Sequence, residues 1–286
     1  MEVARRLGDV ELVSVDSMQV YRGMDVGTAK PTAAERAEVR HHLLDLVDHT
    51  EEFTVADFRA AHDRALAEID GRGARALLVG GTGLYHRAVV DDLDLPGRFP
   101  EVRAELEADP GTAGLHRRLA ALDPLAASRI EPDNRRRVVR ALEVTLGAGR
   151  PFSSFGPGLD AYPPSEVAQI GIRRPRAVLA ESIERRVRAM LDAGLLDEVR
   201  DLAAVGFSRS AAQALGYKEL LAHLDGRVDL DRAIEEVVVR TRRFATRQER
   251  WFRRDPRVRW IDVDAVSDPV AEVVPSVIRA LDGAAA

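Results

Sequence analysis

Three stretches of this 286-residue chain carry residues whose type and spacing can do chemistry. The first is Asp16, just past a β-rich run from Val10 to Val15. In open α/β sheets the carboxyl ends of the strands form the ligand-binding edge. A carboxylate there can accept a proton or hold magnesium through water; a lone aspartate in that place also reads as a turn cap. The second is Gly80-Gly81-Thr82-Gly83, again just past an apolar run, Ala76 to Val79. Its glycines let the backbone approach a ligand and Thr82 adds a hydroxyl, although tight turns share this composition. The third is a basic face. Arg240, Arg243, Arg247, Arg250 and Arg254 recur at spacings of 3, 4, 3 and 4, a helical stripe about 21 Å long at 1.5 Å per residue. Nine arginines and two acids lie between Arg240 and Arg259, and for pairing with the stripe Glu249 and Asp255 are the acids at hand. Several phosphates can lie along such a face; a solvated face in an arginine-biased protein looks similar. A smaller cluster runs from Arg136 to Arg140, with Val139, Leu142 and Leu146 facing a core and Gly147 ending the helix. His41 and His42 point apart on a helix and read as structural, not as a metal pair.

The elements that must position these residues follow from pattern. Val3, Ala4 and Leu7 share a helical face that Gly8 closes, which reads as the end of a helix. Thr32 with Glu35 forms a capping box, and Thr54 starts a helix running to about Gly71. The continuously apolar run 76–79 predicts a strand buried on both faces, as in a parallel sheet. From 97 to 160, helical segments are separated by Pro100, Pro110, Pro124 and Pro132 and lead into a proline-rich loop. A strand returns at 167–172. One helix then carries Leu179, Ile183, Val187, Met190, Leu195, Val199 and Leu202 on one face, and another runs from about Leu230 to Asp255 with Leu230, Ile234, Val237, Thr241, Phe244, Gln248 and Trp251 on one side. A small tail, Gly283 to Ala286, ends the chain.

Composition bounds the rest. With 45% hydrophobic and 31% charged residues the chain can build a core. It has no cysteine, hence no disulfide, no thiolate nucleophile and no cysteine-bound zinc. Net charge is −5, so the molecule as a whole is not a polycation. No apolar run reaches membrane-spanning length and no signal peptide precedes the first strand, so a cytoplasmic protein with no membrane contact is expected. Lys30 and Lys218 are the two lysines, and neither follows a glycine. No intact Gly-x-x-x-x-Gly-Lys-Ser/Thr phosphate loop is therefore present.

Taken together, the phrases from Asp16 to Pro31, His41 to Asp45, Val55 to Phe58, Gly80 to Tyr85, Arg136 to Val144, Gln213 to Leu220 and Arg247 to Phe252 resemble the tRNA dimethylallyltransferase (tRNA isopentenyltransferase) family. The resemblance covers nearly the whole chain, and its first phrase, 16 residues long, is highly specific. It implies an α/β fold, a P-loop NTPase-like parallel sheet core made by 1–96 and 165–286, with an all-helical tRNA-binding insertion at 97–164. It implies transfer of a dimethylallyl group from dimethylallyl diphosphate to N6 of the adenosine 3′ to the anticodon, assisted by Mg2+. By the same resemblance Asp16 is the general base, Thr82 a contact at the reaction centre and Arg186 the cation facing the diphosphate. Asp16, Ser17, Met18 and Gln19 hold the target nucleotide. Arg103, Arg136, Arg137, Val138, Val139 and Arg140 contact tRNA, and Arg243 and Arg247 extend that surface along the basic stripe.

The sequence also departs from the family pattern. The family opens with a strand and a phosphate loop whose hydroxyl ligates magnesium; here Met1 falls inside the helix that should follow, so a central strand, the diphosphate cradle and the expected metal ligand have no counterpart. Two origins fit: a start placed at an internal methionine, favoured by the intact distal phrases, or a truncated copy that binds tRNA without transfer. His49 stands where proline is usual, Thr246 where lysine is usual and Arg250 where threonine is common. An enzyme acting on free adenine nucleotides would need neither the insertion nor the arginine stripe. A monomer is expected.

Overall fold

The computed structural model describes residues 1–156, 158–263 and 268–283; the tail at 284–286 lies outside them. The elements are α1 (Glu2–Leu7), β1 (Val10–Val15), α2 (Ala33–Glu38), β2 (His41–His42), α3 (Val55–Gly71), β3 (Arg75–Gly80), α4 (Gly83–Val90), α5 (Pro100–Ala108), α6 (Thr112–Leu122), α7 (Pro124–Arg129), α8 (Arg135–Ala148), β4 (Gln169–Arg173), α9 (Arg176–Asp192), α10 (Leu195–Val205), α11 (Tyr217–Leu224), α12 (Leu230–Phe252), β5 (Val258–Asp262) and α13 (Pro269–Gly283). They divide into two compact units, one made of Met1–Val90 with Pro164–Ala286, the other of Asp91–Pro163.

The first unit is a mixed α/β body. β1 lies between β2 and β3, all parallel, and Val15 pairs with Gly80 so that β1 and β3 end side by side. Val13, Val15, Phe58, Ile69, Tyr85, Leu195, Val199, Tyr217 and Leu220 form its main core. Capping boxes start α2 at Thr32 and α3 at Thr54, and Gly8 closes α1 with φ 76°. Glu11 ties the strands to α3. It accepts two hydrogen bonds from Arg72, both at 2.8 Å, and one contact at 2.6 Å from His42 Nε2. The Arg72 pair, against the cost of burial, and then His42 bring its carboxyl down to about 2.

Several expectations are corrected here. β3 is not buried on both faces: it has one strand neighbour among the described residues, and Val79 is 54% exposed. His41 and His42 lie in a strand, not a helix, and each has its own partner, Val39 O and Glu11. The long helix through Leu202 is two helices, because Gly194 adopts φ 95° between them. The strand at 167–172 begins at Gln169 and pairs in parallel with β5, which the sequence did not announce because Arg259 and Asp262 interrupt its apolar run. The described strands thus form two separate sheets.

The second unit is helical among its described residues. Leu106, Leu115, Leu119, Val138, Val139 and Leu142 fill its core. α8 runs through Gly147, whose missing side chain admits the Phe99 ring, and ends at Gly149 with φ 67°. Among the described residues no helix is long and apolar enough to cross a membrane.

Candidate functional site

The parallel register brings Asp16, Ser17 and Thr82 together at the carboxyl ends of β1 and β3. Asp16 Oδ1 accepts from the Met18 amide at 2.7 Å and from the Gln19 amide at 3.4 Å, an Asx turn that fixes the carboxylate. Burial pushes its carboxyl above the ordinary aspartate value; the two amides and the charge of Arg186 on α9 pull the other way without cancelling it. A buried carboxylate of raised pKa is a stronger base than a solvated one. Thr82, at the neighbouring strand end, binds the next residue, Ser17. Its Oγ1 accepts from the Ser17 amide at 3.1 Å and lies 3.4 Å from Ser17 Oγ, while its own amide donates to Val15 O at 3.3 Å. Asp16 thus lies within the field of Arg186, and Thr82 is tied to the turn that follows Asp16.

The loop after Asp16 is irregular yet densely bonded. Gln19 Oε1 accepts from Ser14 Oγ at 2.7 Å and its Nε2 donates to Thr28 O at 3.1 Å, so this side chain spans the loop. Lys30, its side chain fully buried, donates to Tyr21 O at 2.8 Å and to Asp25 and Asp45 at 2.6 Å each. Arg36 reaches the second oxygen of Asp45 at 2.6 Å. Glu198 accepts from the amides of Asp25, Val26 and Gly27 and from the Tyr217 hydroxyl at 2.5 Å. A Cβ on Gly27 would come within 2.4 Å of the Tyr217 ring, so only glycine lets the loop seat there. Sequence reasoning did not single out Glu198 or Tyr217 for the site. The available signal was the phrase from Gln213 to Leu220.

The arginine stripe lies on α12 as far as Arg250; the helix ends at Phe252, short of the expected Asp255, and Arg254 falls in the turn beyond it. Arg243, Arg247, Arg250 and Arg254 are exposed and without an acidic partner among the described residues. Arg247 lies over the Phe244 ring, 5.7 Å from its centroid. Arg240 differs. It pairs with Glu236 at 2.7 Å and Glu219 at 3.1 Å, acids that pairing with Glu249 and Asp255 alone overlooked. Phe244, placed on the apolar side by its spacing, is 37% exposed.

In the helical unit Arg136 and Arg137 are exposed at the start of α8. The side chains of Val138 and Val139 are buried in the unit's own core, which leaves their backbone atoms for any contact with a ligand. Arg103 and Arg140 are partly committed. Both donate to Glu143, at 3.2 Å and 2.8 Å, and Arg140 also donates to Pro96 O at 2.9 Å. Glu143 is 1% exposed and also accepts from the Phe99 amide, so these two arginines neutralise a buried carboxylate before they can meet a phosphate.

A family model described as IPP transferase matches residues 19–255. A tRNA dimethylallyltransferase of Kineococcus radiotolerans is 51% identical over 91% of this chain and 83% of its own length. Another, from a Nocardioides species, is 46% identical over 99% and 92%. The crystal structure of a tRNA isopentenylpyrophosphate transferase from Bacillus halodurans, 40% identical, superposes with a TM-score of 0.71 over 99% of this chain and 92% of that one. This chain belongs to the IPP transferase family.

Proposed function

We propose that the chain transfers the dimethylallyl group of dimethylallyl diphosphate to N6 of the adenosine 3′ to the anticodon in tRNA. The observation that carries this reading is the half-buried, base-poised Asp16 within the field of Arg186, its neighbour Ser17 bound to Thr82, in a chain whose relatives are tRNA dimethylallyltransferases. An exocyclic adenine amine is a poor nucleophile. Asp16 accepts its proton as the nitrogen bonds to the allylic carbon and the carbon–oxygen bond to diphosphate breaks. Arg186 steadies the charge that accumulates on the departing diphosphate. Asp16 to Gln19 hold the adenosine, which must leave its stack to reach a buried carboxylate.

Magnesium fits this site as an ion carried mainly by the diphosphate. Among the described residues no group of three His, Asp or Glu side chains is placed to hold a metal, and Asp16, Ser17 and Thr82 offer one carboxylate and two hydroxyls. Magnesium commonly binds through one or two carboxylates, substrate phosphates and water. When bound it supplies charge neutralisation of the leaving group. We read the first unit as a core of the P-loop NTPase type, the second as the tRNA-binding insertion, and the protein as cytoplasmic, since its substrate is tRNA.

The test is incubation with labelled dimethylallyl diphosphate and an anticodon stem-loop. Label is expected in the RNA carrying the target adenosine and not in one with guanosine there; equal labelling of both would contradict the assignment. On the same reading, replacing Arg243 and Arg247 by Ala should weaken tRNA binding and reduce the slope of log K against log salt by about two. An unchanged slope would mean that these arginines only solvate the helix.

A further inference from the structure

α12 reaches the glycine loop from the side opposite β1. Gln248 Nε2 donates to Gly81 O at 3.0 Å. A Cβ on Gly81 would lie 2.1 Å from that Nε2, and a Cβ on Gly83 would lie 2.2 Å from Trp251 Nε1. One turn further the Phe252 ring meets His86 of α4 edge-on at 5.2 Å. Both glycines flanking Thr82 are thus occupied by side chains of one helix, and the carbonyl just before Thr82 is held by a hydrogen bond from that helix. On its other side Thr82 is tied to Val15 O and the Ser17 amide. The glycines do not mark an open cradle on this flank. They are small because α12 fills the space.

From this geometry we propose that Gln248, supported by Trp251, is a positioning residue for the transfer: it sets the place of Thr82, and through the Thr82–Ser17 contact the turn that holds Asp16. The inference rests on the reading of Thr82 as a contact at the reaction centre. It also separates two tasks on one helix. Arg243, Arg247 and Arg250 face solvent for RNA, while Gln248 and Trp251 face the glycine loop. Loss of an arginine should act on tRNA affinity, whereas loss of Gln248 should act on the rate after binding.

The experiment is steady-state kinetics on the full chain, with kcat and the KM for each substrate, for Gln248→Ala, Gly81→Ala, the double variant and Thr82→Ala. Gln248→Met is included because it keeps the bulk and removes the donor, and thermal unfolding checks the fold of each. A sub-ångström to ångström displacement of a reacting group is costly, so each single variant at 248 or 81 should lower kcat about tenfold, with KM for tRNA changed less than about twofold. Both changes break one contact, so the double variant should be no slower than the worse single one. An unchanged kcat in Gln248→Ala and Gln248→Met, or additive losses in the double variant, would overturn the inference while a slow Thr82→Ala left the site reading standing. A Thr82→Ala enzyme of normal kcat would remove the reading of Thr82 and this inference with it.

Discussion

Asp16→Asn is expected to lower transfer by about two to four orders of magnitude, the usual span for losing a general base, and at the same time to stabilise the fold at neutral pH. The amide keeps the shape of the side chain and an oxygen for the Met18 amide, so the turn survives, but it cannot take the N6 proton. The stability gain follows from the direction of the pKa shift. Burial holds the Asp16 carboxyl above its unfolded value. Below the unfolded value both states are protonated and nothing is lost. As pH rises through the folded value, the native state must hold a buried charge and loses stability. Asn at 16 carries no such charge. Its thermal midpoint should therefore exceed that of the wild type above the folded pKa and converge with it in acid. The wild-type kcat should also fall on the acid side with a midpoint above the ordinary aspartate value. Normal turnover in the variant would remove Asp16 as the base, and a lower midpoint at neutral pH would show that its charge is stabilised, not penalised.

Lys30→Met should destabilise the protein by about 3 kcal/mol, near the low end for breaking a buried ion pair. The low end applies because Asp25 and Asp45 remain partly solvated, 56% and 29% exposed at the side chain, while the Lys30 side chain is wholly buried. Lys30 ties two points of the loop after Asp16, Tyr21 and Asp25, to Asp45 beyond β2, and Ala29 and Asp45 adopt φ 51° and 55°, conformations that L-residues hold only when their surroundings impose them. The same cluster predicts acid lability. Burial alone would raise the Asp45 carboxyl, but Lys30 and Arg36 hold it below its ordinary value. The stability it contributes is present above the unfolded pKa and disappears as pH falls through the folded one. Denaturant titration of the variant reads the first effect directly; a loss under about 1 kcal/mol, the scale of a surface pair, would mean that the loop is held elsewhere.

Much of the scaffold was legible because local chemistry decided it. Thr32 and Thr54 start helices through capping boxes that the next three residues complete, and β1 is bounded by Asp9 and Asp16. What failed depended on neighbours distant in sequence. The apolar run of β3 does not reveal that one of its edges lacks a strand partner among the described residues, and Gly194 inside a continuous apolar period does not reveal its positive φ. In the site, Asp16 and Thr82 could be picked out by their place after strands. Glu198 could not, since its role rests on backbone amides some 170 residues away in the chain. The arginines at 103 and 140 were recognised as basic, but periodicity cannot show that a buried Glu143 already holds them.

The most direct test is single-turnover incorporation of labelled dimethylallyl into tRNA by the purified 286-residue chain, run beside Asp16→Asn at equal tRNA saturation. Incorporation by the first and its near-complete loss in the second is the expected result. No incorporation by the wild-type chain, with tRNA affinity and its salt dependence intact, would contradict the assignment and leave a protein that binds tRNA without modifying it.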